Sequence, residues 1–210
     1  MKVLLYFENQ NLIAKSGIGR ALKLQKEALS YTDVEVTTDT QSIDYDVLHI
    51  NTYGVNSHHM VNKAHKLGKK VVYHGHSTYE DFRNSFTGSN TIAPLFKRYL
   101  VSLYSKSDAI ITPTPYSKQL LRGYRLNQPI IPISNGIPLE KYQHDDDKIK
   151  KFREYFDLAD DQKVIMSVGL FFERKGILDF VELAKRHPEH VFIWFGYTDL
   201  RLVPNKISRL

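Results

Sequence analysis

The sequence predicts an α/β protein: a complete domain with a doubly wound parallel sheet, followed by the first βαβ unit of a second domain. Three observations carry this. Short apolar runs alternate with amphipathic stretches along the whole chain, the pattern of strands joined by crossover helices in a sheet covered on both faces. Two glycine-rich turns, Lys15-Ser16-Gly17-Ile18-Gly19-Arg20 and Ser167-Val168-Gly169-Leu170-Phe171-Phe172-Glu173-Arg174-Lys175-Gly176, each follow an apolar run and open a helical one. The chain stops about 34 residues after the second turn, too soon to complete a second domain of ordinary size.

The elements follow in order. Lys2 to Phe7 is an apolar strand; Ile18 to Tyr31 carries Ile18, Leu22, Ala28 and Leu29 on one helical face; Val34 to Thr37 reads as a strand again. Strands at 47–50, 70–74, 109–112 and 130–133 then alternate with helices at 55–67, 92–105 and 116–124. Residues 1–140 form the first domain. The composition turns polar after Asn135-Gly136-Ile137-Pro138, with a helix at 148–156, so 141–162 reads as an interdomain segment. The second domain begins at 163, with a strand at 164–168, a helix at 176–186 and a strand at 191–195, and continues to 210. Leu200 to Leu210 reads as loop or an incomplete element, and Trp194 as core.

Composition narrows the function classes. Hydrophobic residues make up 42% and charged residues 25% of the 210, which is globular rather than disordered. There is no cysteine, which excludes disulfides, thiolate metal sites and a cysteine nucleophile and suits a reducing cytoplasm. No run of about 18 apolar residues spans a bilayer, and Met1 to Glu8 is too short and too soon acidic for a secretory signal. Net charge is +6, which favours an anionic partner. The basic residues are scattered and no nucleic-acid motif is present, so the expected partners exclude nucleic acid.

The strand ends hold the candidate chemistry. A glycine turn at a helix N-terminus exposes N–H groups where the macrodipole favours an anion, so Gly17 and Gly19 suit a phosphate or serve only to start a helix. The dinucleotide fingerprint is weakened here, because Leu22 stands where a third glycine belongs and Gly17 lies about ten residues past the strand. It stays open as an NAD-dependent alternative, since Asp39 after the second strand is at a tolerable distance for a ribose-binding acid. His74-Gly75-His76-Ser77-Thr78-Tyr79-Glu80-Asp81 follows a strand at the edge where ligands gather in parallel sheets. Its imidazoles admit substrate contact, a structural loop cap, or a metal. Thr112-Pro113-Thr114-Pro115 has the makeup of a helix start. Asn135 and Gly136 occupy a tight turn or touch a ligand. Arg174 and Lys175, beside a helix-opening glycine, suit a diphosphate. The stretch from Phe82 to Tyr104 begins with a long loop to Pro94, followed at once by Lys97 and Arg98, a mixture of aromatics and cations suited to an anionic lipid surface.

Taken in order, Gly17-Ile18-Gly19-Arg20, His74-Gly75-His76, Asp108-Ala109-Ile110-Ile111-Thr112-Pro113-Thr114, Ile133-Ser134-Asn135-Gly136-Ile137 and Ser167-Val168-Gly169 with Arg174-Lys175-Gly176 resemble the family-4 retaining glycosyltransferases of GT-B fold. The opening Met1-Lys2-Val3-Leu4-Leu5-Tyr6 and Tyr79-Glu80-Asp81-Phe82 are similar to bacterial glycosyl-diacylglycerol synthases that add a second hexose to a membrane glycolipid. The resemblance implies transfer of a hexose from a nucleotide diphosphate sugar, UDP-hexose by expectation, to a glycolipid such as glucosyl-diacylglycerol, with retention. It implies Rossmann-like domains, the N-terminal one on the acceptor side, and no metal or other cofactor. It implies His76, with His74 as rival, at the reacting sugar. Gly17, Gly19, Arg174 and Lys175 would lie at the donor diphosphate, and Tyr79, Glu80 and Asn135 at acceptor or sugar. The implied place is the cytoplasmic face of the cell membrane, peripherally bound. Two departures stand out: Leu170 follows Gly169 where the family carries Arg, and the family's Glu-x7-Glu motif does not occur after Tyr197. The expectation is therefore a truncated enzyme whose isolated chain is weakly active or inactive. The alternative is a non-catalytic lipid- or partner-binding module.

Overall fold

The computed structural model describes residues 1–9, 17–199, 201 and 203–209. Tertiary contacts divide the chain into two units: Met1–Glu80 with Pro94–Ile137, and Asp81–Ala93 with Pro138–Leu210.

The first unit contains a six-stranded sheet: β1 (Lys2–Tyr6), β2 (Glu35–Thr37), β3 (Val47–Ile50), β4 (Lys70–His74), β5 (Ala109–Thr112) and β6 (Ile130–Pro132). The strands run in the order β2-β1-β3-β4-β5-β6 and every pairing is parallel. Register places Leu4 beside Thr37 and Leu48, and Ile50 beside Tyr73. Helix α1 (Gly17–Ser30) follows β1, and α2 (Val55–Lys66) follows β3. The short α3 (Tyr79–Phe82), the long α4 (Ser89–Tyr104) and α5 (Pro115–Arg122) complete the helices up to β6.

The apolar residues sort onto two faces, as a doubly wound sheet requires. Leu5 and Phe7 pack with Leu22 of α1 and with Ile18 and Val36. On the other face Leu4, Tyr6, Leu48 and Ile50 meet Met60, Val61 and Ala64 of α2, Leu100 and Leu103 of α4, and Leu121 of α5. Local chemistry fixes the helix starts. Thr114 caps α5, its hydroxyl accepting from the Ser117 N–H at 3.0 Å with Pro115 in the first turn, as a proline-led helix start demands. Helix α2 lacks a side-chain cap of its own at Gly54. Glu8, just past β1, supplies one from a distance: its carboxylate accepts from the N–H groups of Asn56 and Ser57 at 3.3 and 3.1 Å.

The second unit pairs β7 (Val164–Val168) in parallel with β8 (Val191–Phe195) across α7 (Ile177–Arg186). Helix α6 (Asp146–Tyr155) precedes them, capped by Asp145, which accepts from the Lys148 N–H at 3.0 Å. Trp194 is part-buried: it packs with Ile177, Val203 and Ile207 and donates from Nε1 to the Gly169 carbonyl at 2.8 Å.

Two sequence expectations are revised. The tail, read as loop or an incomplete element, contains α8 (Asn205–Ser208), because Val203 and Ile207 bury against Ile177. Leu200, Leu202 and Leu210 lie outside the described residues. The loop expected from Phe82 to Pro94 is shorter, since α4 begins at Ser89 and runs through Pro94.

Candidate functional site

A sheet with this strand order reverses direction of winding between β1 and β3, and ligands of such sheets bind outside the carboxyl ends of the strands near that point. Those ends are polar here. Glu8 follows β1; Asn51 and Thr52 follow β3; His74 closes β4 and His76 lies two residues beyond. Asn51, Thr52 and His74 are all buried, and buried polar groups are costly unless hydrogen-bonded.

Thr52 Oγ1 accepts from the Glu8 N–H at 2.9 Å, and Gln25 bridges the other two, while Asn51 Nδ2 and His74 Nε2 are buried without a partner among the described residues. Gln25 of α1 extends its amide nitrogen to Asn51 Oδ1 at 2.8 Å and to His74 Nδ1 at 2.9 Å. His76 Nε2 lies 2.9 Å from the same Asn51 oxygen. Three imidazoles stack: His49 and His74 with ring centres 5.6 Å apart, and His74 and His76 with centres 4.0 Å apart and planes only 4° from parallel. Burial, which penalises the charged form, pushes the three below the usual histidine value of 6.5: His49 to about 4, His74 to about 2 and His76 to about 4. Each neighbouring imidazole adds to the penalty on His74. The cluster is thus neutral at physiological pH and donates or accepts hydrogen bonds without a charge. His74 and His76 lie face to face rather than converging on one point. Among the described residues no group of three or more His, Asp or Glu is placed to hold a metal ion.

The structure gathers the other predicted residues into separate places. Tyr79 and Glu80 form the start of α3, where the Tyr124 hydroxyl accepts from the Tyr79 N–H and donates to Glu80 Oε2 at 2.9 Å. Lys97 of α4 lies over the rings of Tyr124 and Tyr79, 4.6 and 5.5 Å from their centres. Of the aromatic and apolar residues between Phe82 and Tyr104, most of them expected in the core, Leu103 and Tyr104 are core, whereas Ile92 and Leu95 are exposed. Asn135 follows β6, with its side-chain oxygen buried and unpartnered. Gly19 is buried at the start of α1 beside exposed Gly17; Lys15 and Ser16 of the same motif lie outside the described residues.

In the second unit, Arg174 and Lys175 sit on a single 3-10 turn (Glu173–Lys175), and Gly176 beside them adopts φ +79°, which favours glycine. Arg174 donates from Nε to Ser85 Oγ at 2.8 Å, stands 3.8 Å from Asp81 and lies over the Phe172 ring.

Sequence reading missed Gln25, His49 and Asn51. Asn51 carries a legible signal, a polar residue directly after an apolar strand. Gln25 looks like any polar residue on a helix until the fold sets it against Asn51 and His74.

The doubly wound parallel unit with polar groups at its carboxyl edge is the Rossmann-like half of a GT-B glycosyltransferase fold. A crystal structure of the Anabaena protein HepE in complex with UDP superposes with a TM-score of 0.57 at 19% identity, over 92% of this chain and 60% of that one. The chain belongs to glycosyltransferase family 4, whose sequence profile matches residues 22–141. It is 47% identical over 199 residues to a processive diacylglycerol alpha-glucosyltransferase of Acholeplasma laidlawii, covering 93% of this chain and 58% of that protein. It is 25% identical over 166 residues to an alpha-galactosylglucosyldiacylglycerol synthase of Streptococcus pneumoniae, covering 78% of this chain and 44% of that protein. The chain thus spans about half the length of these curated relatives.

Proposed function

We propose that this chain is the acceptor-side domain, with the start of the donor-side domain, of a retaining glycosyltransferase that moves a hexose from a nucleotide diphosphate sugar, UDP-hexose by preference, to a membrane glycolipid such as glucosyl-diacylglycerol. The single observation that carries this is the 47% identity, over 93% of the chain, to a protein named as a diacylglycerol glucosyltransferase. The neutral strand-end imidazoles support it, since they suit a sugar hydroxyl better than a bare phosphate.

In this reading His76 contacts the reacting hexose, with His74 stacked behind it. Arg174 and Lys175 serve the diphosphate. Their positive charge would stabilise the negative charge that grows on the leaving nucleoside diphosphate in the transition state. Gly17 and Gly19 present backbone N–H groups suited to donor phosphate, and Tyr79, Glu80 and Asn135 serve the acceptor or the sugar. No metal or cofactor takes part. The enzyme works at the cytoplasmic face of the cell membrane, bound peripherally to anionic lipid. No helix among the described residues is long and apolar enough to cross a membrane.

The test uses the protein that carries this chain, UDP-[14C]glucose, and glucosyl-diacylglycerol in anionic vesicles. We expect labelled diglycosyl lipid, and a fall of about a hundredfold or more in turnover for His76→Ala with vesicle binding unchanged. Vesicle binding without any transfer, in protein confirmed as folded, overturns the reading in favour of a lipid-binding module.

A further inference from the structure

A neutral imidazole has one ring proton, and its position decides whether a given nitrogen donates or accepts. With the Gln25 and Asn51 amides oriented as the structure has them, the bonds around Asn51 have a direction that sets this for two histidines. The Asn51 oxygen can only accept, and it lies between Gln25 Nε2 at 2.8 Å and His76 Nε2 at 2.9 Å. His76 therefore has its proton on Nε2 and a lone pair on Nδ1, which has no partner among the described residues. Gln25 spends its other N–H on His74 Nδ1 at 2.9 Å, which leaves the His74 proton on Nε2. Stacking at 4.0 Å and 4° keeps the two ring planes parallel.

We propose that Gln25 and Asn51 are positioning residues that set the tautomer of His76, so that its Nδ1 meets the substrate as a hydrogen-bond acceptor. The proposal rests on the assignment of His76 to the reacting sugar and names what it recognises there: a sugar hydroxyl that donates, rather than an oxygen that accepts. Neither Gln25 nor Asn51 touches the substrate in this account. They act through His76.

The pattern is reversible by a single substitution on the far side of Asn51. In Gln25→Glu the new carboxylate has no N–H to give, so Asn51 must turn its amide nitrogen toward both that carboxylate and His76. The His76 Nε2 then accepts and its proton moves to Nδ1. Asn51→Asp keeps an accepting oxygen beside Nε2 and preserves the original tautomer.

The experiment is a long-range 1H–15N correlation spectrum of the chain labelled with 15N-histidine at pH 7.5, in which the two ring nitrogens report the tautomer; His76→Gln identifies the signal. Parent and Asn51→Asp are expected to show the proton on Nε2, and Gln25→Glu the proton on Nδ1. Backbone amide spectra confirm that each variant is folded, and Asn51→Leu, which has no accepting oxygen, is expected to show a mixture of tautomers. A parent protonated on Nδ1, or the same His76 signal in parent, Gln25→Glu and Asn51→Leu, overturns the proposal. The spectra need no substrate and so stand apart from the transfer assay. An inverted tautomer with unchanged transfer shows that Gln25 and Asn51 set the His76 tautomer but overturns its use toward the substrate.

Discussion

Acidification from pH 7 to pH 5 should destabilise the first unit steeply, because the unfolded chain takes up protons that the folded cluster refuses. In the unfolded state His49, His74 and His76 titrate near 6.5; folded, they are held at about 4, about 2 and about 4. A histidine whose folded value is depressed contributes its full stability above the unfolded value and loses it as pH falls below about 6.5. At pH 5 each unfolded imidazole is almost fully protonated and each folded one almost bare. The cost is about 1.5 pH units at 1.36 kcal/mol, or roughly 2 kcal/mol per histidine. For the three together this is about 6 kcal/mol, comparable with the whole stability of an ordinary domain. The assay is urea unfolding followed by circular dichroism between pH 7.5 and 5, with the slope of stability against pH giving the proton uptake. We expect nearly three protons at pH 5.5 from this cluster, and about one fewer in His49→Leu. An uptake of less than one proton, or an unchanged slope in His49→Leu, would refute the reasoning.

Three further perturbations test the scaffold. Gly54→Ala drives a methyl group into the Glu8 carboxyl that caps α2; the expected loss is about 1–2 kcal/mol, read as a lowered thermal midpoint, and an unchanged midpoint would show that Glu8 does not cap the helix. Leu121→Ala empties a fully buried site in the main core and against the Gly75 backbone. It should cost about 2–5 kcal/mol in urea unfolding and loosen the His74-Gly75-His76 turn, seen as faster amide exchange there. Asp145→Ala removes the cap of α6 at about 1 kcal/mol, detectable as earlier exchange of the Lys148 amide with the first-unit midpoint unmoved.

Much of this protein was legible in the order of its residues. The periodicities at Val47–Ile50, Val55–Lys66, Lys70–His74 and Val164–Val168 coincide with observed elements to within about a residue, because alternation of apolar runs with amphipathic ones is itself the requirement for a sheet covered by helices. His74 and His76 could be singled out because a strand end is a local feature. Their motifs, taken with the glycine turns, also pointed to the family.

What the sequence could not decide is which polar groups meet. Gln25 and Asn51 are 26 residues apart and Gln25 and His74 are 49 apart; only parallel pairing of β1, β3 and β4, with α1 on one face, brings them to hydrogen-bonding distance. Glu8 likewise caps a helix 48 residues away. The helix boundary at Ser89, and the helical form of Asn205–Ser208 within a tail read as loop or an incomplete element, were not legible for a related reason. Both depend on what they pack against, and burial is a property of the folded chain that no local window contains. Sequence determined the elements and the residue types at their ends. Tertiary structure decided their partners, and through desolvation and hydrogen-bond direction it decided the charge and the ring proton of the histidines.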